Sequence, residues 1–325
     1  MKIAVIIGSD DTFLKLIIEY WKKNPNLQIF VPYRYKLIGK GNLIKQKITA
    51  AYNQWMFSSR HLRAIYEMSD VTFVEWGTFA LANLTQKISG EKPLIVRIHR
   101  YEADLPILDR VQWKYVTKVL IVNTFIGQKL KTRFPELEGK IQLISNVIDL
   151  QRFRYHPRET FSHKVGMMRC DDNKRPDLIV KALPENVTLH IADLVPKKLQ
   201  QKILKYAKAS QIVFDGWVSP EKWFSDKDFL INGSDHEGQP VSVLESAVMG
   251  VQPIVRQWPG AQDWYDPSWL CPFNEVDFVR CLREQLRTAY ERGFDPRERE
   301  NISNTYRRII QTALEQYNTL FDDYE

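Results

Sequence analysis

Short apolar runs alternate with longer segments of helical spacing along the whole chain, and this alternation constrains the fold more than any other feature. In the first half the strand-like runs cover 3–7, 27–31, 71–75, 94–98, 119–122 and 141–144. Helical spacing fills 13–23, 44–68 and 126–134 between them. A second series starts near Lys164, with runs at 164–168, 187–191, 212–215, 229–232 and 251–256. Its helices cover 174–182, 197–209, 240–249 and 276–292, and polar helical sequence runs on over 300–321. Strands alternating with helices predict parallel sheets covered on both faces. The fold class is therefore α/β, with two doubly wound Rossmann-like domains facing across a cleft. In such sheets ligands sit beyond the carboxyl ends of the strands. The expected division is 1–155, then 156–300, with 301–325 as a C-terminal helix returning to the first domain. A length of 325 residues is ample for two domains.

Composition removes several classes of protein. Hydrophobic residues at 44% and charged residues at 26% describe a globular chain and exclude a disordered or fibrous one. The first apolar run is too short for a signal peptide and turns acidic at Asp10 and Asp11. No stretch approaches the roughly 20 apolar residues of a membrane helix. Cys170, Cys271 and Cys281 show no zinc spacing. A cytoplasmic setting is expected, at the inner face of the membrane if the basic segment described next binds lipid.

The net charge of +7 is unevenly spread. Between Tyr20 and Tyr66 there is no Asp or Glu, yet Lys22, Lys23, Arg34, Lys36, Lys40, Lys45, Lys47, Arg60 and Arg63 fall there, with Trp21, Tyr35, Tyr52, Trp55 and Phe57 among them. Residues 20–66 read either as a surface for anionic lipid headgroups or an acidic acceptor, or as a solvated basic face whose aromatics belong to the core. Nucleic acid ranks last, because no recognisable binding motif accompanies the charge.

The segment most informative about chemistry is 234–250, SDHEGQPVSVLESAVMG. It follows the buried run 229–232, and Pro240 suits the first turn of a helix. Glu237 then stands in the loop at a strand's carboxyl end, and Glu245 lies more than a turn into the helix. Carboxylates accept hydrogen bonds from sugar and ribose hydroxyls. The helix's amino end, around Gly238, Gln239, Pro240 and Val241, offers N–H groups and a positive field to phosphate. A second segment, 165–182 (VGMMRCDDNKRPDLIVKA), holds Arg169 and Lys174 between a strand and a helix. Cations so placed stabilise a departing diphosphate. Either segment alone is also what a solvated surface looks like; it is their combination that points to a site.

Together these segments resemble the retaining glycosyltransferases of the GT-B fold, family-4 type. Glu237, Gly238, Pro240, Leu244, Glu245, Ala247 and Gly250 stand in register with that family's two-glutamate frame, and Arg169, Lys174, Asp177 and Leu178 match its cationic segment. The family's glycine after the lysine is Arg175 here. The resemblance implies that Glu237 contacts the donor sugar, Glu245 the ribose, and Arg169 and Lys174 the leaving diphosphate. It further implies that Gly216, Trp217 and Val218 line the base, that 258–261 (WPGA) closes on the donor, and that His99 touches the donor sugar. Asn146 and Asp149 match the strand end before the interdomain connection. Gly8 and Ser9 are expected to approach the diphosphate through their backbone, although Asp10 and Asp11 are unexpected beside phosphate and suit acceptor hydroxyls or a helix cap. Glu75, Trp76 and Glu102 are read as shaping an acceptor pocket.

The reaction so implied retains the anomeric configuration and uses neither metal nor organic cofactor. Its donor is a UDP- or GDP-type sugar, and its acceptor a glycan, a lipid-linked sugar or a small molecule. Three other readings compete with this one. A dinucleotide oxidoreductase requires Gly-x-Gly-x-x-Gly after the first strand, which 7–12 (IGSDDT) fails. Another sugar-nucleotide enzyme, such as an epimerase or a phosphorylase, shares the βα pattern. A non-catalytic glycan- or partner-binding protein predicts loss of the donor residues, which are present.

Overall fold

The computed structural model describes residues 1–9, 11–34, 43–206 and 211–324. Asp10, Tyr35, Lys36 and Lys40, singled out above, lie outside the described residues. Two compact units are formed, one by Met1–Val147 with Thr312–Glu325, the other by Ile148–Gln311.

The first unit contains β1 (Lys2–Ile7), α1 (Lys15–Trp21), β2 (Gln28–Arg34), α2 (Leu43–Met56), α3 (Ser59–Met68), β3 (Val71–Glu75), α4 (Phe79–Thr85), β4 (Leu94–Arg97), β5 (Lys118–Ile121), α5 (Thr124–Arg133) and β6 (Ile141–Leu143). Its sheet has the order β2-β1-β3-β4-β5-β6, with every pair parallel. The direction of winding reverses between β1 and β3. β3 is buried along its whole length, as expected for a central parallel strand sandwiched by helices. The helical segment 44–68 proves to be two helices, α2 and α3, because the chain turns Met56 and Phe57 into the core. No Gly or Pro marks that break.

The second unit contains β7 (Lys164–Met168), α6 (Pro176–Ala182), β8 (Thr188–Ala192), α7 (Lys197–Leu204), β9 (Ile212–Phe214), α8 (Pro220–Trp223), β10 (Phe229–Asn232), α9 (Val241–Val248), β11 (Gln252–Arg256), β12 (Leu270–Cys271) and α10 (Glu275–Arg292). Its order is β12-β11-β10-β7-β8-β9, again all parallel, and here the reversal falls between β7 and β10. α10 is capped by Asn274, whose side chain accepts from the N–H groups of Val276 and Asp277. A last helix, α11 (Pro296–Asn318), begins in the second unit, and its final turns belong to the first. There Tyr317 is buried, and its carbonyl accepts from the Trp21 indole N–H at 2.8 Å.

Among the described residues no helix is long and apolar enough to cross a membrane. The aromatics of 20–66 divide between two roles. Trp21, Phe57 and Tyr66 are core, whereas Trp55 is 59% exposed on α2 with Leu43 and Ile48, among exposed Lys45 and Lys47.

Candidate active site

In a doubly wound sheet the loops leaving the two strands on either side of the winding reversal diverge, and a crevice forms between them. In the second unit those loops follow β7 and β10. They carry Arg169 and Lys174, and Ser234 to Glu237, respectively.

The β7 loop is held in shape by its own side chains. Arg169 has left-handed backbone (φ 59°), and its N–H donates to the Ala192 carbonyl. The Asp171 carboxylate accepts from the Lys174 N–H at 3.1 Å and closes a short 3-10 turn, Asp172–Lys174. Arg175 is also left-handed (φ 49°) and precedes Pro176, the first residue of α6. This is the position where the resembled family has glycine, and the conformation explains why. A side chain there costs about 1–2 kcal/mol of backbone strain. Its guanidinium finds partners in Asp177 (3.1 Å), Asp235 (3.4 Å) and Glu275 (2.7 Å).

Asn173 fastens this loop to the one after β10. Its carbonyl accepts from the Asp235 N–H (2.9 Å), its side-chain oxygen accepts from the His236 N–H (3.2 Å), and its amide donates to the His236 carbonyl (3.1 Å). Arg256, buried in β11, pairs with Asp235 and donates to the Phe273 carbonyl at 2.8 Å. Between the two loops Lys174 Nζ pairs directly with Glu237 Oε1, and Ser234 Oγ donates to the same oxygen at 2.8 Å. Both side chains of the pair keep partial exposure, 12% for Lys174 and 18% for Glu237.

Glu245 stands on α9, which begins at Val241 with Pro240 as its capping residue rather than in its first turn. Gly238 lies in the approach to that helix, and Gln239 is buried in it. The Glu245 carboxyl does not join the Lys174–Glu237 pair. Burial pushes its pKa up to about 7, with the charge of Arg152 opposing the rise and that of Glu221 adding to it. Gly216 (φ 69°), Trp217 and Val218 follow β9. Trp217 is 85% exposed, and Leu194, 71% exposed, lies beside Gly216. In the 258–261 loop Gly260 has φ 95° and the Trp258 indole is buried.

The first unit's sheet reverses between β1 and β3, and Gly8, Trp76 and His99 follow β1, β3 and β4. A Cβ at Gly8 would lie 2.8 Å from Thr78 Oγ1 and 2.9 Å from the Trp76 carbonyl, so no other residue fits. The Gly8 N–H donates to the Glu75 carbonyl at 2.8 Å, which takes it away from the phosphate contact expected of it. Ser9 is half-buried.

Glu75 and Glu102 are fully buried and cannot shape an acceptor pocket directly, which corrects the sequence reading. Glu75 is spanned by both arms of Arg97, at 2.8 and 2.7 Å, and its Oε1 lies 2.8 Å from His99 Nε2. Burial opposes its ionisation, but Arg97 and then His99 outweigh burial and hold its pKa below the usual carboxylate range. Burial has the opposite outcome at Glu102, whose pKa is raised well above that range. Glu102 Oε2 accepts from the His99 N–H at 2.8 Å.

Asn173, Ser234, Asp235, Arg256, Arg97 and Tyr317 were not singled out in the sequence. Arg97 carries a legible signal, a charge inside the apolar run 94–98 that burial obliges to pair.

No protein-family profile and no curated protein matches the chain. Solved structures do. The lipopolysaccharide outer core galactosyltransferase WaaB, in its apo form, superposes over 99% of this chain and 100% of its own length, with a TM-score of 0.70 at 17% identity. Sucrose-phosphate synthase from Thermosynechococcus elongatus gives 0.70 at 13% identity, over 99% of this chain and 98% of its own. A variant of S. aureus TarM, in complex with fondaparinux, alpha-GlcNAc-glycerol and UDP, gives 0.60 at 15% identity over 80% of this chain. The chain spans 58% of the length of that TarM structure. The fold is that of the GT-B glycosyltransferases.

Proposed function

We propose that this chain is a retaining glycosyltransferase that moves a sugar from a UDP- or GDP-type donor to a glycan, lipid-linked or small-molecule acceptor without a metal ion. The observation carrying the proposal is the Lys174–Glu237 pair at the winding reversal of the second sheet, with Arg169 on the same loop after β7 as Lys174. Lys174 and Arg169 take the charge that develops on the diphosphate as the bond from the anomeric carbon to phosphate oxygen breaks. The acceptor oxygen bonds to that carbon from the same face and passes its proton to the leaving phosphate. Glu237 holds the donor sugar, and Glu245 the ribose. Trp217, with Gly216 and Val218, receives the base. The amino end of α9, from Gly238 to Val241, faces phosphate, as does the Ser9 backbone. His99 is proposed to touch the donor sugar, as the resemblance implies. The fold similarity supports this reading at the level of architecture, and the site residues support its chemistry.

The test is a thermal-shift titration with nucleoside diphosphates and NAD, followed by a sugar-nucleotide panel scored for slow hydrolysis. Stabilisation by UDP or GDP and turnover of one donor are expected. Stabilisation by NAD alone, or by none of these, contradicts the proposal. Exposed Leu43, Ile48 and Trp55 beside Lys45 and Lys47 on α2 support a peripheral contact with an anionic membrane. Co-sedimentation with anionic vesicles at low salt but not at high salt is the expected result. Absence of binding at low salt removes that contact.

A further inference from the structure

The structure assigns Glu75 a positioning role: it keeps a proton on Nε2 of His99 and so holds that ring in one tautomer and one orientation. The inference rests on the proposed role of His99 and adds a residue that touches neither donor nor acceptor.

A buried carboxylate stays ionised only where its charge is paired. Glu75 is fully enclosed and ends β3, in register with Arg97 on β4. Arg97 donates to both of its oxygens, and this paired geometry makes ionised Glu75 affordable in the interior. An ionised carboxylate only accepts hydrogen bonds. The 2.8 Å contact between Glu75 Oε1 and His99 Nε2 therefore has its hydrogen on the imidazole nitrogen.

The rest of the cluster leaves the ring little choice of orientation. Trp76 stacks on it, with centroids 4.0 Å apart and planes at 28°, and Phe13 lies at 5.0 Å. Trp76 has φ 70°, a left-handed conformation that costs a bulky residue about 1–3 kcal/mol and persists only where the surroundings impose it. The backbone of His99 is pinned by Glu102. Arg97, in turn, donates to the Tyr317 hydroxyl at 2.9 Å, so the end of α11 holds the far side of the Glu75–Arg97 pair. A histidine kept only for packing needs no such chain, because either tautomer fills the same volume.

The test is a long-range 1H–15N correlation spectrum of the full chain labelled at histidine, with His99 assigned through His99→Gln. The expected spectrum has a protonated Nε2 at His99, and a neutral ring protonated at Nδ1 overturns the inference. In Glu75→Leu nothing is left to accept the Nε2 proton, so the ring is expected to lose its single Nε2-protonated form, and kcat/KM for the donor to fall by on the order of 10–100-fold, as for a displaced positioning contact. Glu75→Gln, whose carbonyl can stand in the place of Oε1 and accept from both Arg97 and His99, should keep the Nε2 proton and most of that activity. An unchanged spectrum and wild-type kcat/KM in Glu75→Leu overturn the inference. If that variant does not fold, the wild-type spectrum decides. If no donor is turned over, the spectrum still reads the tautomer, and the proposed function alone falls.

Discussion

The two sheets reverse their winding in the same manner, yet the charged groups at the two reversals live in different surroundings. In the second unit Lys174 and Glu237 face each other with some exposure on both, and their loops are tied together by Asn173, Asp235 and Arg256. In the first unit Glu75 and Arg97 are sealed from water and joined to Tyr317 and His99. A partly exposed pair can exchange partners with an incoming ligand at modest cost. A sealed pair cannot, since separating it strands a charge in the interior. The first arrangement suits binding and charge stabilisation. The second suits holding a neighbouring group still.

This contrast predicts opposite signatures for substitutions at the two places. Lys174→Ala should lower kcat/KM by roughly 10²–10³, as for loss of a preorganised transition-state contact, while chemical denaturation shows a change of no more than about 1–2 kcal/mol. Near-wild-type turnover in that variant breaks the account. Arg97→Met should do the reverse in kind, destabilising the fold by about 3–5 kcal/mol because Glu75 is left buried and unpaired. An unchanged urea midpoint would mean that the sealed network contributes nothing.

Glu245 gives a pH test confined to the second unit. Its pKa is raised to about 7, so the folded state keeps a proton that the unfolded chain gives up near the ordinary carboxylate value. The associated stability is present below the ordinary value and is lost as pH rises through about 7. Glu245→Gln, which carries no titrating group, should gain on the wild type between pH 5 and pH 8, by on the order of 1–3 kcal/mol. Urea denaturation at the two values measures this, and parallel behaviour of the two proteins contradicts it. The smallest effect is expected at Arg175. Glycine there relieves left-handed strain but removes the bonds to Asp177, Asp235 and Glu275, so the net stability change should stay within about 1 kcal/mol. A larger loss in Arg175→Gly means that the arginine braces the loop more than the strain opposes it.

Much of the fold was legible because buried parallel strands are apolar throughout and helices keep their own period. The runs at 71–75, 164–168 and 229–232 coincide with β3, β7 and β10. The break between α2 and α3 was not legible, because Phe57 turns inward without a glycine or proline to announce it. At the site, residue type located Arg169, Lys174, Glu237 and Glu245 after strands or in a helix, but not which would touch. Lys174 and Glu237 meet because β7 and β10 are neighbours, a fact of strand order rather than of local sequence. The burial of Glu75 and Glu102 was not legible for a related reason. A carboxylate at a strand end reads as a surface group until its cross-strand partner is known, and the register of Glu75 with Arg97 is visible only in the sheet.

The central claim is that Lys174 is a diphosphate-binding cation whose present carboxylate partner yields to ligand. Calorimetric titration of the wild type and Lys174→Ala with a nucleoside diphosphate, and with the matching nucleoside, tests it most directly. At least a tenfold loss of diphosphate affinity is predicted, with nucleoside affinity unchanged. Equal diphosphate affinity in the two proteins would contradict the account.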